Sequence, residues 1–141
     1  MLKTKDGEAF PLPEPVMLSP FMERIAIPIF QNRISPVLDA CRNLMVVDIE
    51  DGKESRLMII SLAGMTCLER SATIFRRRID TIICAGISDL MSRYMTGRGI
   101  NLVSGIAGDA DRIIEAYCQH RLCDDRYLMP GRRRPYPKDA P

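Results

Sequence analysis

The sequence predicts an α/β fold: an open mixed sheet of five strands in the order 3-2-1-4-5, with strand 2 antiparallel and helices on both faces. Three observations carry this expectation. Alternating or β-branched apolar runs occur at 24–29, 44–50, 56–62, 80–85 and 100–103. The pair Asp51-Gly52 sits between the second and third runs as a hairpin turn, so those two strands must be antiparallel. From residue 65 onward, strands alternate with amphipathic helices, and right-handed crossovers would lay those helices over the sheet.

Each element has its own local warrant. RIAIPI (24–29) and LMVVDIE (44–50) are short β-branched strands, and RLMIISL (56–62) follows the Asp-Gly turn. Ser35 followed by Pro36 reads as a helix N-cap and first helical position, which places a short helix after strand 1. Over 65–78 the period changes: Leu68, Ala72 and Phe75 fall at i, i+4 and i+7, and Arg76-Arg77-Arg78 suits the negative end of a helix dipole. DTIICA (80–85) is nearly all apolar, as in a strand covered on both faces. Ser88 caps a helix running to about Thr96, with Gly97 and Gly99 at its end. INLV (100–103) is the last strand, and Asp109 opens a helix through Ile113, Ile114, Tyr117 and Leu122.

The whole chain has 141 residues, 46% hydrophobic and 27% charged, which suits one globular domain with a core that needs no disulfides or structural metal. Proline-rich 1–22 reads as an extended arm, 23–123 as the folded α/β unit, and 124–141 as a basic, proline-rich tail. The folded unit carries 13 basic and 12 acidic side chains, so the net charge of +2 is matched by the tail alone. So mild a balance argues against a nucleic-acid binder. No apolar run is long enough for a membrane helix and the start does not read as a signal peptide, so the expected location is the cytoplasm, with no membrane association.

Open α/β sheets bind ligands beyond the carboxyl ends of their strands where the strand order reverses, here between strands 1 and 4. The loop after strand 1 offers Asn32, Arg33 and Ser35, and exposed helix N–H groups beside Arg33 would make an anion site. A capped surface loop with a solvated arginine fits the same residues. Cys41 follows this loop and Cys84 ends strand 4, so the predicted topology can bring both to one cleft; Cys84 in an apolar strand also reads as plain core. Gly86, Gly105 and Gly108 stand at strand-to-helix turns, where a missing Cβ lets backbone approach a ligand or a neighbouring element. Five cysteines without CxxC and a single histidine, His120, give no zinc pattern, and the absence of GxGxxG and GxxxxGK[ST] leaves no nucleotide cofactor to expect. His120 stands alone, Asp48 and Glu50 alternate with apolar neighbours as on a half-exposed strand, and there is no GxSxG, so the chain is not expected to be an enzyme.

The blocks RIAIPIFQNRISPVLDACRNLMVVDIEDGK, DTIICAGIS and GINLVSGIAGDADRIIEAY together resemble the nitrogenase iron-molybdenum cofactor biosynthesis domain. That domain is found in NifX and NafY, at the carboxyl end of NifB and in small stand-alone proteins. The resemblance spans about Glu23 to Arg121. It implies a three-layer α/β/α ribonuclease H-like fold and non-catalytic binding or carrying of an iron-sulfur or iron-molybdenum cluster or its precursor. Some relatives place a histidine followed by Phe-Gly in the loop after strand 1; here that region reads Ser35-Pro36-Val37-Leu38-Asp39, so no cluster-ligating histidine carries over. Cys41 becomes the leading candidate metal ligand and Cys84 the second, thiolate being the softer donor. Asn32, Arg33, Ser35 and the Gly86 backbone would complete the cofactor-binding set. Stand-alone relatives often follow a Met-Pro-Gly segment with a cysteine or a Gly/Arg-rich stretch; here Met129-Pro130-Gly131 runs into arginines with no cysteine, which removes a ligand role for the tail and leaves anion steering or partner docking.

Two functions follow as expectations. One is cluster carrying, with a cofactor-assembly or acceptor protein as partner. The other is a small interaction or regulatory module that keeps the fold without the cluster. The strand at 56–62, an expected sheet edge carrying Met58, Ile59 and Ile60, suggests a homodimer.

Overall fold

A computed structural model of the chain describes residues 22–122 and 127–128. Apart from Met22, Tyr127 and Leu128, the expected arm and tail lie outside the described residues, as does Cys123. The elements follow in the order β1 (Met22–Phe30), β2 (Arg33–Ile34), a 3-10 turn (Leu38–Ala40), β3 (Asn43–Glu50), β4 (Lys53–Ser61), α1 (Cys67–Arg76), β5 (Thr81–Ile83), α2 (Asp89–Gly97), β6 (Asn101–Val103) and α3 (Ala110–Cys118).

The sheet runs β4-β3-β1-β5-β6, with β2 paired to β1 off this path. In the numbering of the five predicted strands this path is 3-2-1-4-5. β1 and β5 are parallel, as are β5 and β6, while β3 is antiparallel to both β1 and β4. The sixth strand is the departure from expectation. It forms because the chain reverses tightly at Gln31-Asn32, with Gln31 at φ 58°, and Phe30 and Arg33 pair across the turn. Asp51 and Gly52 both take positive φ, 54° and 79°, the geometry that matches the twist of a two-residue hairpin.

Strand alternation divides the core into two layers. Ile25, Ile27 and Ile29 of β1 face α3, packing with Val47, Ile113 and Ile114. Ala26, on the opposite face, packs with Leu44, Ile74, Ile82, Met91 and Met95 beneath α1 and α2. The helices therefore cover both faces of the sheet.

Two local expectations are corrected. In α1 the expected apolar stripe is Leu68, Ala72 and Phe75, but only Phe75 packs against the core; Leu68 and Ala72 are exposed and the buried set is Arg70, Ser71, Thr73 and Ile74. Thr66 caps the helix: its hydroxyl accepts from the Glu69 amide while the Glu69 carboxylate accepts from the Thr66 amide, a capping box that satisfies two of the free helix-end donors. Asp48, read as lying on a half-exposed strand, is buried. It accepts from Arg24 Nε at 2.7 Å and Nη2 at 3.3 Å, a paired geometry that offsets the cost of desolvating the carboxylate.

Candidate functional site

The segment that leaves β1 decides what the switch point looks like. Ser35 does not cap a helix: its amide donates to the Pro28 carbonyl at 2.7 Å, which holds the residue in extended backbone beside β1. The turn that follows spans only Leu38–Ala40 and is preceded by Val37, which makes no side-chain cap. The anion site expected from Ser35 and Pro36 therefore has no helix behind it.

Pro36–Leu38 instead runs alongside the end of β5. The Gly86 amide donates to the Pro36 carbonyl at 2.7 Å, the Leu38 amide donates to the Gly86 carbonyl at 2.9 Å, and Val37 pairs with Gly86 as an isolated parallel bridge. A Cβ on Gly86 would stand 2.8 Å from the Pro36 carbonyl oxygen. The missing side chain at Gly86 thus admits a neighbouring stretch of this same chain, and that stretch fills the crevice between the ends of β1 and β5.

On the α1/α2 side of this end lie the two candidate thiols. Cys41 is 2% exposed and Cys84 is fully buried, and both belong to the layer under α1 and α2. Burial raises the Cys41 thiol pKa against the opposing pull of Arg70. Cys84 is pushed up to about 12, first by burial and then by the charges of Asp39 and Cys41. Among the described residues no group of three Cys, His, Asp or Glu side chains is arranged to hold a metal ion.

Asn32 and Arg33 belong to the other side of the sheet. The Asn32 carbonyl accepts from the Ala110 amide at 2.8 Å, which occupies the first helical N–H of α3, and Arg33 Nη1 lies 3.1 Å from Asp109 Oδ1. Asp109 precedes α3 but makes no side-chain cap bond; its carboxylate faces Arg33 and Arg112. The six expected site residues thus divide. Cys41, Cys84 and Gly86 converge on the α1/α2 side of the β1/β5 end, whereas Asn32 and Arg33 tie the loop to α3 and Ser35 fixes it to β1.

Three further residues belong to the convergent group. Arg70, 6% exposed, donates from Nη1 to the Cys41 carbonyl at 2.5 Å and from Nε to the Met65 carbonyl at 3.1 Å, and Nη1 lies 3.7 Å from Cys41 Sγ. No carboxylate pairs with this guanidinium among the described residues. Asp39 accepts from the Ser88 amide at 2.9 Å and from its hydroxyl at 2.5 Å, and Cys67 Sγ lies 3.9 Å from Asp39 Oδ2. One carboxylate thereby links the N-termini of α1 and α2. The signals that could have found these residues are the Thr66-x-x-Glu69 capping box, which places Cys67 first in α1, and an arginine three positions after it.

Exposed apolar side chains ring the same end. Phe30, Val37, Leu68 and Leu90 are all large and exposed, on the end of β1, the sealing segment and the first turns of α1 and α2. No helix among the described residues is long and apolar enough to cross a membrane.

No protein-family model and no curated protein matches the chain. Solved structures do. PH0822 superimposes with a TM-score of 0.68 and 22% identity, over 72% of this chain and 94% of that one. A "putative dinitrogenase" from Methanocaldococcus jannaschii gives 0.60 and 20%, over 70% of this chain and 90% of its own length. A "putative NifB protein" from Thermotoga gives 0.57 and 14%, over 81% of this chain and 99% of its own. At these identities the likeness is one of fold. The chain shares the architecture of these three proteins, two of them named a "putative dinitrogenase" and a "putative NifB protein".

Proposed function

We propose that this chain, a ribonuclease H-like α/β/α module, takes part in metallocofactor assembly without catalysing a reaction, by binding or carrying an iron-sulfur or iron-molybdenum-type cluster or its precursor. The observation that carries this reading is the placement of Cys41 and Cys84 in one layer at the β1/β5 end, with the Arg70 guanidinium 3.7 Å from the Cys41 sulfur. An anionic cargo needs soft donors and nearby positive charge, and Arg70, unpaired by any carboxylate among the described residues, supplies that charge against the opposing charge of Asp39. Loading requires an opening of the layer under α1 and α2, because both sulfurs are buried in it. Anaerobic reconstitution with iron and sulfide, followed by absorption spectroscopy and metal analysis, tests the proposal. Stoichiometric iron in the wild type and its loss in Cys41→Ser are the expected results; equal uptake by the variant refutes the ligand assignment.

A second reading rests on the burial of both sulfurs. A module that keeps the fold but holds no cluster would act through the apolar ring of Phe30, Val37, Leu68 and Leu90 on an assembly or acceptor protein. Absence of bound iron in the wild type selects this reading.

A further inference from the structure

At the opposite end of β1 a pocket of about 420 Å³ opens between the β3–β4 hairpin turn and the end of α3. Its volume falls within the range of small-molecule sites. Ile49, the ring of Tyr117 and Cys118 line it, with Glu23, Asp51 and His120 supplying the charged or titratable groups. Glu23 is the anchored member. Its Oε2 accepts from Tyr117 Oη at 2.6 Å and from Thr81 Oγ1 at 2.8 Å, so two neutral donors fix the carboxylate from one side. Burial, and then Glu23 itself, raise the Tyr117 pKa, which keeps that hydroxyl a donor. Among the described residues no cationic side chain pairs with Glu23, and its other oxygen has no partner. Its neighbour Arg24 lies on the opposite face of the strand, committed to Asp48 and the Arg77 carbonyl.

Three sources of negative potential therefore meet at one concave surface: Glu23, Asp51 and the carboxyl end of α3, where the helix dipole is negative. The walls beside them are apolar. A metal ion is poorly served, since no three-donor group forms among the described residues. An ammonium needs only hydrogen-bond acceptors, and an attached alkyl stem would cover Ile49 and the Tyr117 ring. We propose that this pocket binds a primary ammonium on an apolar stem, with Glu23 as its counter-charge. The site is separate from the β1/β5 end and stands or falls independently of cluster binding.

Titration of the isotope-labelled full chain with n-butylammonium, followed by amide shifts at Asp51, Gly52, Cys118 and His120, tests the inference. Saturable shifts with a Kd of about 1 mM or tighter are expected for a ligand of this size. Glu23→Gln, which retains an acceptor for Tyr117 and Thr81, should weaken binding about tenfold or more, the scale of a hydrogen-bonded charge pair. 1-Butanol should produce no saturable shift. Equal binding by 1-butanol, or by Glu23→Gln with β5 and β6 shifts unchanged, overturns the proposal. If Glu23→Gln fails to fold, Asp51→Asn decides: about threefold weaker binding supports the charge requirement, on the scale of an exposed ion pair, and no change overturns it. N-acetyl-lysine methylamide distinguishes the sources, since tighter binding than butylammonium points to a protein lysine and weaker binding to a free amine.

Discussion

The two layers that sandwich the sheet are built from different material. Beneath α3 the core is almost wholly aliphatic, with Ile25, Ile27, Ile29, Val47, Ile113 and Ile114 in contact across it. Beneath α1 and α2 it is rich in sulfur and studded with polar groups: Cys41, Cys84, Met91 and Met95 lie against helices that also bury Arg70, Ser71 and Thr73. The Ser71 hydroxyl reaches Met91 Sδ at 3.4 Å and the Thr73 hydroxyl reaches Met65 Sδ at 3.6 Å. Away from the Glu23 pocket at its edge, the aliphatic layer can do little except hold the sheet. The sulfur layer carries groups whose desolvation costs stability, which is where chemistry is expected to reside.

This contrast can be broken by experiment, beginning with the largest effect. Ile113→Ala, in the aliphatic layer, should cost about 3 kcal/mol in denaturant unfolding and leave iron content per folded molecule unchanged. Arg70→Ala should cost about 2–3 kcal/mol, because it strands the carbonyls of Cys41 and Met65, and should also lower iron uptake. A stability loss without a change in iron would strip Arg70 of any binding role. For Gly86→Ala the expected cost is about 2 kcal/mol, with a lowered Tm, since the new methyl meets backbone at Pro36 rather than a movable side chain. Arg33→Ala should stay within about 0.5 kcal/mol, its partner Asp109 being 48% exposed.

Acidity offers a graded version of the same test. Burial raises both thiols, Cys84 to about 12, so each must release a proton before it can ligate. Iron uptake should therefore strengthen as pH rises from about 6 to 8, and a flat profile measured by metal analysis would argue against thiolate ligation. Folding stability has its own window. The folded Cys84 thiol holds its proton more tightly than the unfolded one, so its contribution is full below 9.0 and is lost as pH rises toward 12.

Two-residue β2 is too short to show a period, but periodicity made the five strands of the main path and the last two helices legible, because alternation and Asp51-Gly52 report a strand and a tight turn directly. The Ser88 cap was readable for the same reason: its hydroxyl accepts from the Met91 amide at 3.2 Å. Ser35 misled because Ser-Pro is a good helix start only where the chain is free to turn, and the Pro28 carbonyl had already claimed its amide. Arg70 was hidden by its charge. A helix face is read by its apolar residues, whereas this face is completed by a guanidinium whose partners are carbonyls 5 and 29 residues away in the chain. The order of the strands allowed Cys41 and Cys84 to share one end, and the apolar run 80–85 already marked Cys84 as core; the depth of Cys41 was not legible, since it lies after an irregular turn rather than in a periodic element.

The resting place of 36–38 against β5 also keeps time. The amide protons of Leu38 and Gly86 are held only by the bonds that join the segment to β5, so they exchange with solvent when it lifts. Their exchange rates measure how often the segment parts from β5. Set beside the rate of iron uptake in the proposed reconstitution, they test whether the two events are coupled.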